Sequence, residues 1–140
     1  MSAFQEKPAE LPGEEMKKVI VVDDEPFILM MIEDKLGKAG LSVITSRDSR
    51  NALSLIREER PDLIILDWMM PELNGVELCR MVKTDPELSH IPVFLLTAKG
   101  HDADKEAGFD SGATLYITKP FSPKALLKMV HDALRGHPPA

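Results

Sequence analysis

Five short runs of aliphatic and β-branched residues divide the chain: KKVIVV from Lys17, LSVIT from Leu41, DLIIL from Asp62, IPVFLLT from Ile91 and ATLYIT from Ala113. Each is bounded by turn or breaker residues, a pattern that predicts strands. Between them the apolar positions recur at helical spacing. The first helix carries Ile28, Ile32 and Leu36 at i, i+4 and i+8 and ends at Gly40; the second follows a cap at Asp48, carries Ala52, Leu55 and Ile56, and stops at Pro61. A third runs from Val76 with Leu78, Cys79 and Val82. A fourth, HDADKEAGFD over 101–110, is poor in apolar residues and is expected to be the least firmly packed. The last takes Ser122 as its cap and Pro123 in its first turn, with Leu126, Leu127, Val130 and Leu134 along one face.

Five apolar strands alternating with five helices predict a parallel sheet covered on both faces, a doubly wound α/β domain. With right-handed crossovers the winding must reverse, and in the common order 2-1-3-4-5 the reversal falls between strands 1 and 3. Ligands bind at that crevice, outside the carboxyl ends of the strands.

Composition narrows the picture. The 140 residues suit one domain, expected over 17–135. Residues 1–16, with Pro8, Pro12, Gly13 and several glutamates, are expected to form a disordered N-terminal tail, and the closing GHPPA, 136–140, a C-terminal one. A net charge of -6, from 23 acidic and 17 basic residues, leaves no basic patch for a phosphate backbone, so direct nucleic-acid binding is not expected. Apolar runs such as Phe27 to Ile32 are far shorter than the ~18 residues of a membrane span, and the amino terminus lacks the apolar core of a signal peptide. A cytoplasmic protein without membrane insertion is the expectation. The single cysteine, Cys79, reads as a small packed side chain rather than a reactive thiol.

The predicted topology brings acids together. Strand 1 ends VIVVDDEP and strand 3 ends at Asp67, so Asp23, Asp24, Glu25 and Asp67 converge at the crevice. One acid at a strand end is commonly a helix cap. Several together repel: at ~5 Å and an effective dielectric near 20, each pair of unit charges costs about 3 kcal/mol, so the cluster needs a cation or a raised pKa. Lys119, at the end of strand 5, supplies one positive charge. Oxygen donors without cysteine or histidine favour a hard ion, and Mg²⁺ binds to one or two carboxylates while keeping waters for a phosphate to displace. Thr97 ends strand 4 beside Asp67; alone it would be only a β-former with a satisfied hydroxyl.

VVDDEP, LIILDWMMPELNG, FLLTAKG and GATLYITKPF, in that order and spacing, resemble the receiver domain of bacterial two-component response regulators, of the single-domain, chemotaxis-regulator-like kind. The resemblance spans Lys17 to Arg135 and implies the flavodoxin-like five-stranded fold. It also implies that Asp67 is the phosphoacceptor, with Asp23 and Asp24 as the acid pair. Asp24 and Asp67 would ligate Mg²⁺ directly, joined by the backbone carbonyl of Met69. Thr97 resembles the switch hydroxyl, Lys119 the lysine that pairs with the phosphoryl group, and Tyr116 the aromatic switch; the Lys119–Pro120 bond is expected to be cis. The implied donors are a histidine kinase or a histidine phosphotransfer protein. The implied output is binding of a protein effector, or phosphorylation-dependent dimerisation, through the face of helix 4, strand 5 and helix 5. Such a protein catalyses only its own phosphorylation and dephosphorylation.

Two positions limit the resemblance: Met69 and Lys99, two residues beyond Asp67 and Thr97, vary in the family and border the path of attacking water, which leaves the phosphoryl lifetime open. With no output domain after the last helix, a stand-alone receiver and a module of a larger regulator both remain. A haloacid-dehalogenase-type phosphatase would carry a second aspartate where Met69 stands, and a pseudo-receiver would lack the acid pair, threonine or lysine. Finally, Phe27 and Met30 fall on a different stripe of the first helix from Ile28, Ile32 and Leu36, with Met31 near the latter. They are either scattered exposed residues or a docking patch for a helical phosphodonor.

Overall fold

The computed structural model describes residues 16–98 and 110–136. Its strands are β1 (Lys18–Val22), β2 (Ser42–Ser46), β3 (Leu63–Asp67), β4 (Val93–Ala98) and β5 (Leu115–Lys119), all parallel in the order β2-β1-β3-β4-β5. The helices are α1 (Pro26–Lys38), α2 (Ser49–Glu59), α3 (Gly75–Thr84) and α4 (Pro123–Leu134). The described helices thus number four against five expected, because most of the fourth predicted helix lies outside the described residues, as do Lys99 and nearly all of both predicted tails. No helix among the described residues is long and apolar enough to cross a membrane.

The alternation of side chains along each strand divides the core in two. Ile20, Val22, Ile64, Leu66, Val93 and Leu95 face α2 and α3, where Ala52, Ile56, Leu78, Cys79 and Val82 close over them. Val19, Val21, Leu63, Ile65, Phe94 and Leu96 face α1 and α4, meeting Leu29, Ile32, Leu36, Leu126 and Val130. The central strands β1, β3 and β4 are sealed from water on both faces, which is why they read as nearly unbroken apolar runs, while the edge strands β2 and β5 are mostly half-buried. On α1 the buried stripe is Leu29, Ile32 and Leu36 at i, i+3 and i+7, with Ile28 half-buried; the expected i, i+4, i+8 stripe was displaced by one position at its first turn.

The helix starts are specified locally. Asp48 accepts from the Arg50 amide and Ser122 from the Ala125 amide, as the sequence indicated. Asn74 adds a capping box with Glu77 that launches α3 directly behind the β3 loop. Glycine at position 75 is required by space: a Cβ there would lie 2.3 Å from the Asp67 carbonyl oxygen. Its amide instead donates to the Trp68 carbonyl at 2.9 Å, closing the 68–74 loop on the strand end. Ser49, buried at the start of α2, donates to the Pro71 carbonyl at 3.0 Å and pins the same loop from the other side.

Candidate functional site

At the carboxyl ends of β1, β3 and β5 the chain collects four acids and one base. Asp23, Asp24, Glu25 and Asp67 each offer a carboxylate oxygen, all within 4.8 Å of one another. Lys119 Nζ donates to Asp23 Oδ2 at 3.0 Å, to Glu25 Oε2 at 3.2 Å and to Asp67 Oδ1 at 3.2 Å. The backbone holds these groups firmly. The Asp23 amide donates to the Ser46 carbonyl and the Trp68 amide to the Leu96 carbonyl, extending the ladders one residue past the strands. Asp23 Oδ1 accepts from the Glu25 amide at 2.9 Å, which turns the chain into α1.

The electrostatics follow from burial and from charge count. Asp67 is almost wholly buried, and loss of water together with repulsion by Asp23 pushes its carboxyl up to about 7, against the opposing pull of Lys119. Burial also raises Asp23, with the Glu25 amide and Lys119 working the other way. Burial alone would weaken the charged form of Lys119, yet its bonds to Asp23 and Asp67 win and raise it above the usual lysine range. Among the described residues Lys119 is the one cation bonded to these carboxylates, and one ammonium cannot neutralise four of them. The pocket therefore retains excess negative charge, which suits a divalent cation, and its donors are all oxygen.

Asp23, Asp24 and Asp67 lie together at this end of the sheet with Lys119; Thr97 and Tyr116 are on the neighbouring strands β4 and β5, Met69 is in the loop after β3, and Phe27 and Met30 are on α1. Thr97, 1 % exposed at the end of β4, has a hydroxyl with no hydrogen-bond partner among the described residues. Tyr116 is half-buried on β5, in register with Leu95, and meets Trp68 edge-on with ring centroids 5.7 Å apart. Lys119–Pro120 is cis. Met69, in the loop after β3, has an exposed side chain, 58 %. Phe27 and Met30 are the most exposed large apolar residues of α1, at 68 % and 61 %.

Three contacts went unread in the sequence. The bond from Lys119 to Glu25 is one; the surplus of acids over the single lysine was its signal in the sequence. Trp68 against Tyr116 depends on the two strand ends facing the same layer, which needs register. The Asn74–Glu77 box was legible as N-x-x-E before an apolar run.

A family profile for the response regulator receiver domain matches residues 19–131. Among curated relatives, the phosphate regulon transcriptional regulatory protein PhoB of Pseudomonas aeruginosa is 42% identical over 119 residues, 85% of this chain and 52% of that protein. The alkaline phosphatase synthesis transcriptional regulatory protein PhoP of Bacillus subtilis is 41% identical over 119 residues, 85% of this chain and 49% of that protein. The chain spans about half the length of the curated relatives it matches. Among solved structures, the chemotaxis response regulator CheY4 of Vibrio cholerae superposes with a TM-score of 0.78 at 36% identity, covering 84% of this chain and 98% of that one. The BeF3-activated N-terminal receiver domain of Klebsiella pneumoniae RstA gives 0.79 at 32% identity, covering 85% and 99%. The chain belongs to the response regulator receiver domain family, the receiving module of two-component systems.

Proposed function

We propose that Asp67 accepts a phosphoryl group from a phosphohistidine on a histidine kinase or a histidine phosphotransfer protein, and that the phosphorylated form binds a different partner. The observation that carries this reading is the Lys119 ammonium shared between Asp23 and Asp67 across three strand ends, with the buried Thr97 hydroxyl, which has no hydrogen-bond partner among the described residues, on the adjacent strand. A structural ion pair needs no such surplus of buried acid.

In the transfer an Asp67 carboxylate oxygen forms the new P–O bond as the donor's N–P bond breaks, and the electron pair of that bond stays on the imidazole nitrogen. Such transfers have loose transition states, so positioning and charge neutralisation are what a protein can contribute. The ladder bond beyond β3 holds Asp67 at the strand end, burial limits access of bulk water, and Lys119 draws off negative charge. Asp23, Asp24 and Asp67, with the main-chain oxygen of Met69, form the oxygen set that would hold Mg²⁺; when bound, the ion neutralises charge on the phosphoryl oxygens. Water attacking the same acyl phosphate reverses the signal, so the protein catalyses only its own phosphorylation and dephosphorylation.

The conformational reading uses the same groups. A phosphoryl group brings close to two negative charges, and two charge-assisted bonds, from Thr97 and Lys119, are worth about 3 to 6 kcal/mol together. Inverting a 1:99 equilibrium takes about 5.5 kcal/mol, which the two bonds reach only at the upper end of that range. Thr97 moves toward the phosphoryl oxygen, Tyr116 adjusts in the space it leaves, and the β5–α4 face changes for a protein partner or a second copy. Identical amide spectra on that face for Asp67→Asn and for beryllofluoride-loaded wild type would contradict this. The primary test is Mg²⁺-dependent labelling by acetyl phosphate. Stoichiometric label on Asp67, absent from Asp67→Asn, is expected; many turnovers would indicate a phosphatase, and no label a phosphorylation-independent module.

A further inference from the structure

A lysine ammonium has three N–H donors, and in Lys119 all three are committed: to Asp23, Glu25 and Asp67. The three acceptors differ in what each loses on release. The Asp23 side chain is 0% exposed and that of Asp67 6%, whereas that of Glu25 is 58% exposed. A buried carboxylate stripped of its ammonium has no water to replace it, while Glu25 is rehydrated at once. An anion that enters beside Asp67 and bonds to Lys119 therefore displaces Glu25 first. The buried Thr97 hydroxyl at the neighbouring strand end, without a hydrogen-bond partner among the described residues, is independently suited to the same anion.

Resting on the phosphoacceptor reading above, we propose that Glu25 is a positioning residue that acts through Lys119 as an internal competitor for the phosphoryl oxygen. In the resting state its carboxylate takes the donor that the phosphoryl group needs, and its charge repels small anionic donors. Phosphorylation exchanges one Lys119 bond for another, and Glu25 turns out to solvent. A small acyl phosphate has only its own phosphoryl group with which to drive that exchange. A protein donor docked beside the pocket adds contact area remote from the reacting atoms, so the competitor favours protein donors over small ones. Glu25 also occupies the N-cap position of α1 and makes no side-chain cap bond there, so the exchange reaches the first turn of the helix that presents Phe27 and Met30.

The test uses the full chain with Mg²⁺ and acetyl phosphate, read by the fluorescence of Trp68, the single tryptophan and the neighbour of Asp67, and by label on Asp67. Thermal melts first establish that Glu25→Gln and Glu25→Ala fold. Both variants are expected to lower the half-saturating acetyl phosphate concentration about three- to fivefold, the scale of one half-exposed ion pair, with the change in that concentration rather than in the maximal rate. Half-saturation by beryllofluoride is expected to fall in parallel. An unchanged or raised half-saturation in variants of a protein that labels normally overturns the proposal. So does a tenfold loss of Mg²⁺ affinity in Glu25→Gln, which would make Glu25 a holder of the ion. Wild type that takes no label removes the phosphoacceptor reading itself, a result distinct from the failure of the competitor.

Discussion

Two lysines meet carboxylates at opposite ends of the same sheet, and they do different things. At the amino end, Lys18 Nζ pairs with Glu59 at 2.9 Å, both side chains about one-third exposed, and the Lys18 amide donates to Asp62 at 2.8 Å. Charge is roughly balanced there, water reaches both partners, and the pair fastens β1 to the end of α2. At the carboxyl end, Lys119 faces three carboxylates, two of them buried. The first arrangement needs nothing more, while the second is incomplete without a cation or a proton. An ion pair that leaves buried acid uncompensated points to chemistry, whereas a balanced, hydrated one points to attachment.

The comparison can be broken most forcefully at the two lysines. Lys119→Met leaves Asp23 and Asp67 buried without their cation and is expected to lower stability by about 3 kcal/mol at pH 8 in chelator, while Lys18→Met is expected to lower it by less than about 1 kcal/mol. Chemical denaturation of both variants measures the gap; equal losses would erase the distinction.

Next in size is Gly75→Ala. Its Cβ meets the Asp67 carbonyl at 2.3 Å, so the backbone under Asp67 must shift, at a cost of about 2 kcal/mol and with loss of Asp67 labelling. Gly37→Ala, where nothing lies within 4 Å, is expected to leave labelling intact.

A smaller effect is expected from pH. Folded Asp67 keeps its proton up to about 7, against an ordinary 3.8, so the folded state binds more protons between those values. The stability this group contributes is complete below 3.8 and is lost as pH rises through about 7. In chelator, the melting temperature of wild type is therefore expected to fall between pH 6 and 8 by several degrees relative to Asp67→Asn. Parallel curves would show that burial does not perturb this carboxyl.

The least effect on stability is expected at the rim. Phe27→Asp with Met30→Lys removes only exposed apolar surface and should leave melting and acetyl phosphate labelling unchanged, while slowing transfer from the cognate protein donor. Equal losses from both donors would point to misfolding instead.

Much of this contrast was legible in the sequence because strands sealed on both faces leave a strong apolar signature, and the acids interrupt it only where each strand stops. Asp23, Asp67, Thr97 and Lys119 could be placed at one end of the sheet from strand order alone. The inward stripe of α1 was less legible: FILMMI is apolar on every side, so periodicity could not choose between Ile28 and Leu29, and packing on the sheet decided it. Glu25 escaped for a different reason. Its contact with Lys119 joins residues 94 apart in the chain, and an acid at a helix start has an ordinary local role that hides a distant one.

The account turns on Asp67 as the group that carries the signal, and intact-protein mass spectrometry after acetyl phosphate treatment tests it most directly. One phosphoryl group, gained only with Mg²⁺, mapped to Asp67 and absent from Asp67→Asn, is the predicted result. A wild-type protein that stays unlabelled with Mg²⁺ present, or a label that persists in Asp67→Asn, would contradict it.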